Sequence, residues 1–274
     1  MNGHYLYDRK RASSFNLIVG IHKAKTPHLA GPKYYQIKVF RLGDIYEIYK
    51  YELPVYAGYH KFKTSSKKNT DENIKKENRR KVVTRIRNNI RRLAIANFNE
   101  YSRFFTATFR DNITGMDYAN SEFKKFIKRI KYSYKDFKYL AVVEFQKRGA
   151  IHYHMLSDFG YIEHSDLEKL WGNGFVWIKD LLTGNNGKLV DNVGAYIVKY
   201  MNKNNIDKRL MGKKAYFTSR NLVRPEIVYE NIGLDECFEK YDLNKNYMVY
   251  RNSFMSKENG IVDYFEFNKK RELL

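Results

Sequence analysis

Hydrophobic positions along the chain follow two rhythms, and the places where one gives way to the other mark the elements. From residue 33, YYQIKVFRLGDIYEIYKYEL reads as two strands joined at Leu42-Gly43-Asp44, a predicted hairpin. A polar stretch, KTSSKKNTDEN, separates it from a segment in which Val82, Ile86, Ile90 and Leu93 recur at helical spacing. A helix is predicted there over about residues 71–97, capped by Thr70 or Asp71, with Asp71 and Glu72 at the positive end of its dipole. Next come a strand over 103–110 (RFFTATFR), a helix near 121–131, and strands over 139–146 and 150–157. A helix near 165–171, a Gly172-Asn173-Gly174 turn into the strand FVWI, and a helix from Asp191 to about 204 follow. YFTSRNLVRPEIVYE looks extended, whereas the first thirty or so residues and the C-terminus show no clear period. With 4 prolines, no low-complexity linker and no internal repeat, the pattern predicts one α+β domain decorated at both ends. Its expected parts are an N-terminal extension over 1–100, packed on the core and carrying the hairpin and the helix, a core over 101–205, and a C-terminal extension over 206–274.

Composition narrows the partners. At 274 residues and 43% hydrophobic content the chain can bury a core and is no disordered tail. Its 51 basic residues against 30 acidic ones leave +21, the imbalance of a protein that meets a polyanion. No stretch approaches the ~18 apolar residues of a membrane-spanning helix, and MNGHYLYDRKRASS has no apolar signal-peptide core. A cytoplasmic nucleic-acid partner is therefore expected, and no membrane. The single cysteine, Cys237, excludes an intrachain disulfide framework and a cysteine-built zinc site. Charge is also concentrated: residues 61–92 hold 13 basic and 3 acidic side chains, a net of +10. A solvated face normally mixes signs, so the single-sign stripe with Arg79, Arg80, Arg85, Arg87 and Arg91 is expected to contact phosphates.

Candidate chemistry lies in EFQKRGAIHYH, residues 144–154. If Lys147-Arg148-Gly149 is a three-residue loop with Gly149 at positive φ, Gln146 pairs with Ala150 and Glu144 faces His152. His154, two residues on, shares that surface. Two imidazoles and a carboxylate then converge with coordination positions to spare, as a catalytic metal needs. A strand histidine can also be an ordinary hydrogen-bonded residue. The same donor set equally suits iron or zinc, which leaves an oxygenase or a hydrolase open.

Downstream, in GAYIVKYMNK, Tyr196 and Tyr200 stand four apart on one helical face, with Lys199 and Lys203 each three residues after a tyrosine. A phenol of pKa ~10 is a weak nucleophile at neutral pH, and a nearby ammonium or a metal on the phosphate remedies that weakness. The chain has 24 tyrosines, so a YxxxY pair alone could equally be core packing. A loop-like run at Gly184-Asn-Asn-Gly187-Lys188-Leu189 departs from the spacing of an ATP-binding loop and reads as a turn, so no helicase motor is expected in this chain.

Together these motifs resemble the HUH endonuclease superfamily, specifically the two-tyrosine rolling-circle replication initiators of bacterial plasmids and phages. FFTATFRDN (104–112) looks like the first motif strand, GAIHYHML (149–156) matches the His-hydrophobic-His motif, and AYIVKYMNK (195–203) looks like the nucleophile helix. Conjugative relaxases generally carry the tyrosine before the histidines, and here it follows. The resemblance covers roughly 101–204. It implies a central antiparallel sheet of about five strands with flanking helices, Mg2+ or Mn2+ held by Glu144, His152 and His154, and attack by Tyr196 or Tyr200 assisted by Lys199 or Lys203. DNA contacts are expected from the arginine helix, from Thr106, Thr108 and Arg110 on the first motif strand, and from Arg148 in the hairpin loop. The implied partners are a single-stranded DNA origin in a bacterial host, with a host helicase and polymerase. A transposase of the same chemistry and a non-catalytic DNA-binding regulator remain as alternatives.

Overall fold

The computed structural model describes residues 33–57, 72–181, 192–201, 208–210 and 213–271. In chain order its elements are β1 (Tyr34–Leu42), β2 (Ile45–Tyr56), α1 (Glu72–Asn97), β3 (Arg103–Phe109), α2 (Met116–Ser133), β4 (Tyr139–Phe145), β5 (Ile151–Ser157) and α3 (His164–Trp171). There follow β6 (Gly174–Asp180), α4 (Val193–Val198), β7 (Tyr216–Thr218), β8 (Glu226–Glu230), α5 (Leu234–Lys240), β9 (Met248–Ser256) and β10 (Gly260–Asn268). Over these residues the chain forms two compact units, one from Gly20–Glu77 with Pro225–Leu274, the other from Asn78–Arg224. Each carries an antiparallel five-stranded sheet, so the α+β class holds with two sheets where one was expected. The partition also runs differently from the expected boundaries at 100 and 205. Pairing crosses them: Ile37–Arg41 lie opposite 226–230, and 45–51 opposite 262–268.

In the first of these units the strand order is β8-β1-β2-β10-β9. The predicted hairpin forms, with Gly43 at φ 71° in the turn and Leu42 opposite Ile45. Ile37, Val39, Ile48, Phe265 and Phe267 make its core, with Cys237 buried among them from α5. This sheet joins residues more than 180 positions apart, pairing that no local rhythm reveals.

The other unit has the order β6-β3-β5-β4-β7. Period-two alternation sorts its strands between two cores. Phe105, Ala107, Phe109, Ala141, Val143, Ile151, Tyr153 and Met155 face one way, against Phe123, Phe126 and Ile130 of α2 and Leu167 and Trp171 of α3. Phe104, Leu140, Val142 and Leu156 face the other way, against Ile86, Ile90, Leu93 and Ala94 of α1 and Val193 and Ile197 of α4. Along this second face, beyond the apolar positions, stand Glu144, His152 and His154, at the border of what α1 and α4 cover.

Two elements differ from expectation. α4 ends at Val198, and backbone bonds from Tyr200 to Ile197 (3.3 Å) and Met201 to Val198 (3.1 Å) tighten its end into a turn. The extended stretch near 216–230 splits, β7 joining the second sheet and β8 the first. The cap residues Thr70 and Asp71, Asp191 at the predicted helix start, the turn at 184–189 and residues 1–32 lie outside the described residues.

Candidate active site

The hairpin register matches the sequence reading. The Gln146 amide donates to the Ala150 carbonyl (2.9 Å), Gly149 sits at φ 89° and donates to the Gln146 carbonyl (2.8 Å), and Glu144 lies directly opposite His152. Arg209, which the sequence reading passed over, braces the loop: its guanidinium donates to the Gly149 carbonyl (2.7 Å) and lies 4.0 Å over the Phe145 ring. Tyr153, between the histidines, points to the opposite face, stacks on Phe123 at 4.2 Å and donates its hydroxyl to Asn120 (2.8 Å). Burial pushes its phenol well above the ordinary range, so it is a core residue, not a nucleophile.

His154 Nε2 lies 2.7 Å from Glu144 Oε2, and its Nδ1 lies 3.0 Å from Thr106 Oγ1. An ionised carboxylate only accepts, so Nε2–H is the donor there, and Nδ1 is left to accept from the Thr106 hydroxyl. That hydrogen bond holds the Glu144 carboxyl below its usual range. His152 Nδ1 is 3.3 Å from the Gln146 side-chain amide, while its Nε2 is buried with no partner among the described residues. Burial holds this imidazole below its ordinary pKa and thus neutral. Among the described residues no three His, Cys, Asp or Glu side chains are gathered so as to hold a metal ion as they stand. The donor types nonetheless fit a divalent cation, and an orphaned, neutral, buried imidazole nitrogen is costly unless something takes its lone pair. For His154 to serve as a ligand, one of its two present hydrogen bonds must be exchanged for the metal.

The two tyrosines reach this face from α4 and the turn behind it. Asn192 caps α4, its side chain accepting from the Ala195 amide (2.8 Å). Gly194 lets the helix approach α1, since a Cβ there would lie 2.6 Å from the Arg91 carbonyl oxygen. The Arg87 guanidinium donates to the Met201 carbonyl, tying down the far end, and burial holds it below its usual pKa. The Tyr200 ring stacks on the His154 imidazole at 3.8 Å between centroids, and both tyrosine rings pack on Phe104. The Tyr200 hydroxyl donates to that of Tyr196 at 3.3 Å. Burial, and then this bond, push the Tyr200 phenol well above the ordinary range. Lys199 Nζ lies 3.7 Å from the Tyr196 ring centroid and 4.9 Å from that of Tyr200. Lys203 lies outside the described residues.

The remaining sequence candidates separate. Thr106 supports His154 and Arg87 anchors the tyrosine turn, both alongside the site. Thr108 is partly buried opposite His152, Arg148 is exposed on the hairpin loop, and Arg110 is exposed past the end of β3. Arg79 and Arg80 are exposed on α1, whereas Arg85 and Arg91 are half-buried. Two aromatics missed from sequence, Phe175 and Trp177, stand exposed on β6. Their sign was legible in FVWI, where apolar residues at both parities leave one pair without a core to face.

Residues 102–205 match the model of a protein family, that of the replication-associated protein ORF2. The matched span runs from the start of β3 through the hairpin and both tyrosines, and it supports a role in starting replication and hence action on DNA. Comparison with the curated proteins and with the solved structures finds no match. Among the described residues no helix is long and apolar enough to cross a membrane.

Proposed function

We propose that this chain starts rolling-circle replication by nicking single-stranded DNA at an origin and later rejoining it, with Tyr196 and Tyr200 as nucleophiles. The observation that carries this reading is the seating of Tyr200 on His154 with its hydroxyl 3.3 Å from that of Tyr196, which brings two phenols to the Glu144–His152–His154 face. Glu144, His152 and His154 would hold Mg2+ or Mn2+. When bound, such an ion would polarise the scissile phosphate and favour attack on phosphorus.

Tyr196 takes the first step, because Lys199 stands closer to it and stabilises the developing phenolate. Its oxygen bonds to phosphorus and the P–O3′ bond breaks. The phenol proton passes to solvent and the departing O3′ takes one up, leaving a 5′-phosphotyrosine and a free 3′-OH primer. After a round of synthesis, Tyr200 cleaves the regenerated site in the same way. The 3′-OH so freed attacks the Tyr196 ester and closes the displaced strand. Thr106 holds the His154 ring, and Arg87 and Gly194 hold the tyrosine segment. In this reading a host helicase and polymerase in the bacterial cytoplasm open and copy the duplex.

The test is incubation of labelled candidate-origin single strands with the protein and Mn2+. Wild type should yield a covalent protein–DNA band, lost in His152→Ala and His154→Ala while most DNA affinity remains, because phosphate contacts elsewhere dominate binding. Full cleavage by either variant, or by wild type in excess chelator, rules out the metal assignment.

A further inference from the structure

We propose that Phe175 and Trp177 form a platform on which bases of single-stranded DNA stack beside the candidate active site. This rests on the reading of the chain as a single-strand endonuclease, and it names residues that hold the substrate there. Phe175 and Trp177 alternate on β6, the edge strand of the second unit's sheet, and are 64% and 73% exposed, while Val176 between them is 2% exposed in the core. Cross-strand pairing carries each into a row of the site. Phe175 lies opposite Thr108, which lies opposite His152, which lies opposite Glu144; Trp177 lies opposite Thr106, which lies opposite His154. Residues paired across an antiparallel sheet share a face, so both rings stand on the surface that carries the histidines. Alternate strand residues are about 7 Å apart, which leaves each ring room for its own base.

Edge strands ordinarily carry charge where they meet water, and two large exposed rings there contribute nothing to either core. Cations flank the pair. Arg110 is exposed beyond the end of β3, and Lys179, next on the same face, lies 5.4 Å from the Tyr196 ring. An apolar partner protein would gain nothing from these cations or from the chain's +21. A polyanion with unpaired bases gains from both, since every base offers a π-face to a ring and a phosphate to a cation.

The chain has two tryptophans, and Trp171 is fully buried with its indole N–H bonded to the Thr108 carbonyl (2.9 Å). Trp177 emission therefore reports on the platform without any need for cleavage. Titrating the full chain with a short oligothymidylate should quench that emission. Phe175→Ala and Trp177→Ala should each weaken oligothymidylate binding roughly 5- to 150-fold, the range for one lost base stack. Both should leave binding to a duplex nearly unchanged, because its bases are already stacked. Trp177→Phe should keep most of the affinity and lose the optical signal. The inference is overturned if the double alanine variant binds oligothymidylate like wild type, or loses single- and double-strand affinity alike. It is also overturned if sedimentation shows a wild-type dimer that the double variant breaks with oligothymidylate affinity intact, which would make the face an interface between copies. If stacking holds and no covalent band forms, the platform stands and the endonuclease reading falls. If the band forms and the variants bind normally, the reverse is true.

Discussion

Replacing Gly194 by Ala sets a methyl carbon 2.6 Å from the Arg91 carbonyl oxygen and 2.9 Å from both Arg91 Cγ and Ile95 Cγ1. Ordinary contact begins near 3.5 Å, and the nearest atom belongs to helical backbone that cannot swing aside, so α4 must retreat from α1 by roughly 0.5–1 Å. Overpacking of this kind costs about 1–3 kcal/mol, offset by the better helix propensity of Ala over Gly, about 1 kcal/mol. A net loss of about 1–2 kcal/mol should lower Tm by roughly 2–8 °C for a unit of this size. The catalytic effect should be larger, because α4 carries Tyr196 and leads into Tyr200, and a displacement of about 1 Å can cost on the order of 100-fold in rate. Thermal unfolding followed by single-turnover formation of the covalent DNA adduct measures both. Gly160→Ala is the control, since a Cβ there meets nothing within 4 Å, and it should change neither. Wild-type melting and wild-type adduct formation by Gly194→Ala would refute the idea that the α1 contact seats the tyrosines.

Tyr196→Phe should suppress the first nick more strongly than Tyr200→Phe, and the double variant should form no adduct; a normal first nick by Tyr196→Phe would reverse the assigned order. Arg79→Ala with Arg80→Ala should weaken DNA binding at all sequences and lower the slope of log affinity against log salt by roughly 1.4 for two lost phosphate contacts on a single strand. An unchanged slope would leave those arginines as a solvated face. Arg87→Ala should instead destabilise the fold by about 1–3 kcal/mol, because it strands the Met201 carbonyl; unaltered thermal unfolding would contradict that tether. Cys237 is fully buried and its thiol is pushed up to about 12. The folded protein should therefore resist thiol reagents at neutral pH until denaturant is added, and rapid labelling of native protein would show the α5 packing to be wrong.

What the sequence revealed follows the range of its interactions. The hairpin at 144–154 was legible down to its register, because a three-residue loop fixes which residues face each other. The tyrosine pair was legible as a pair, but α4 is shorter than its rhythm implied; the last turn tightens where Met201 is held by Arg87, a contact 114 residues distant. That contact also gives Arg87 a purpose different from Arg79, though all α1 arginines look alike in sequence. The first unit's sheet escaped detection altogether. Its central partners β1, β2 and β10 come from opposite ends of the chain, and alternation in one strand says nothing of its neighbour. Phe175 and Trp177 were read as part of a strand, since only the cross-strand rows reveal that they share a face with the histidines.

The account turns on which atoms of the protein end up joined to DNA. The covalent product from candidate-origin single strands and Mn2+ can be digested with protease and nuclease and the modified peptide sequenced by mass spectrometry. A nucleotide phosphate on Tyr196, and on Tyr200 when Tyr196 is Phe, is the expected result. Modification of any other of the 24 tyrosines, or strand cleavage with no covalent product at all, would contradict it.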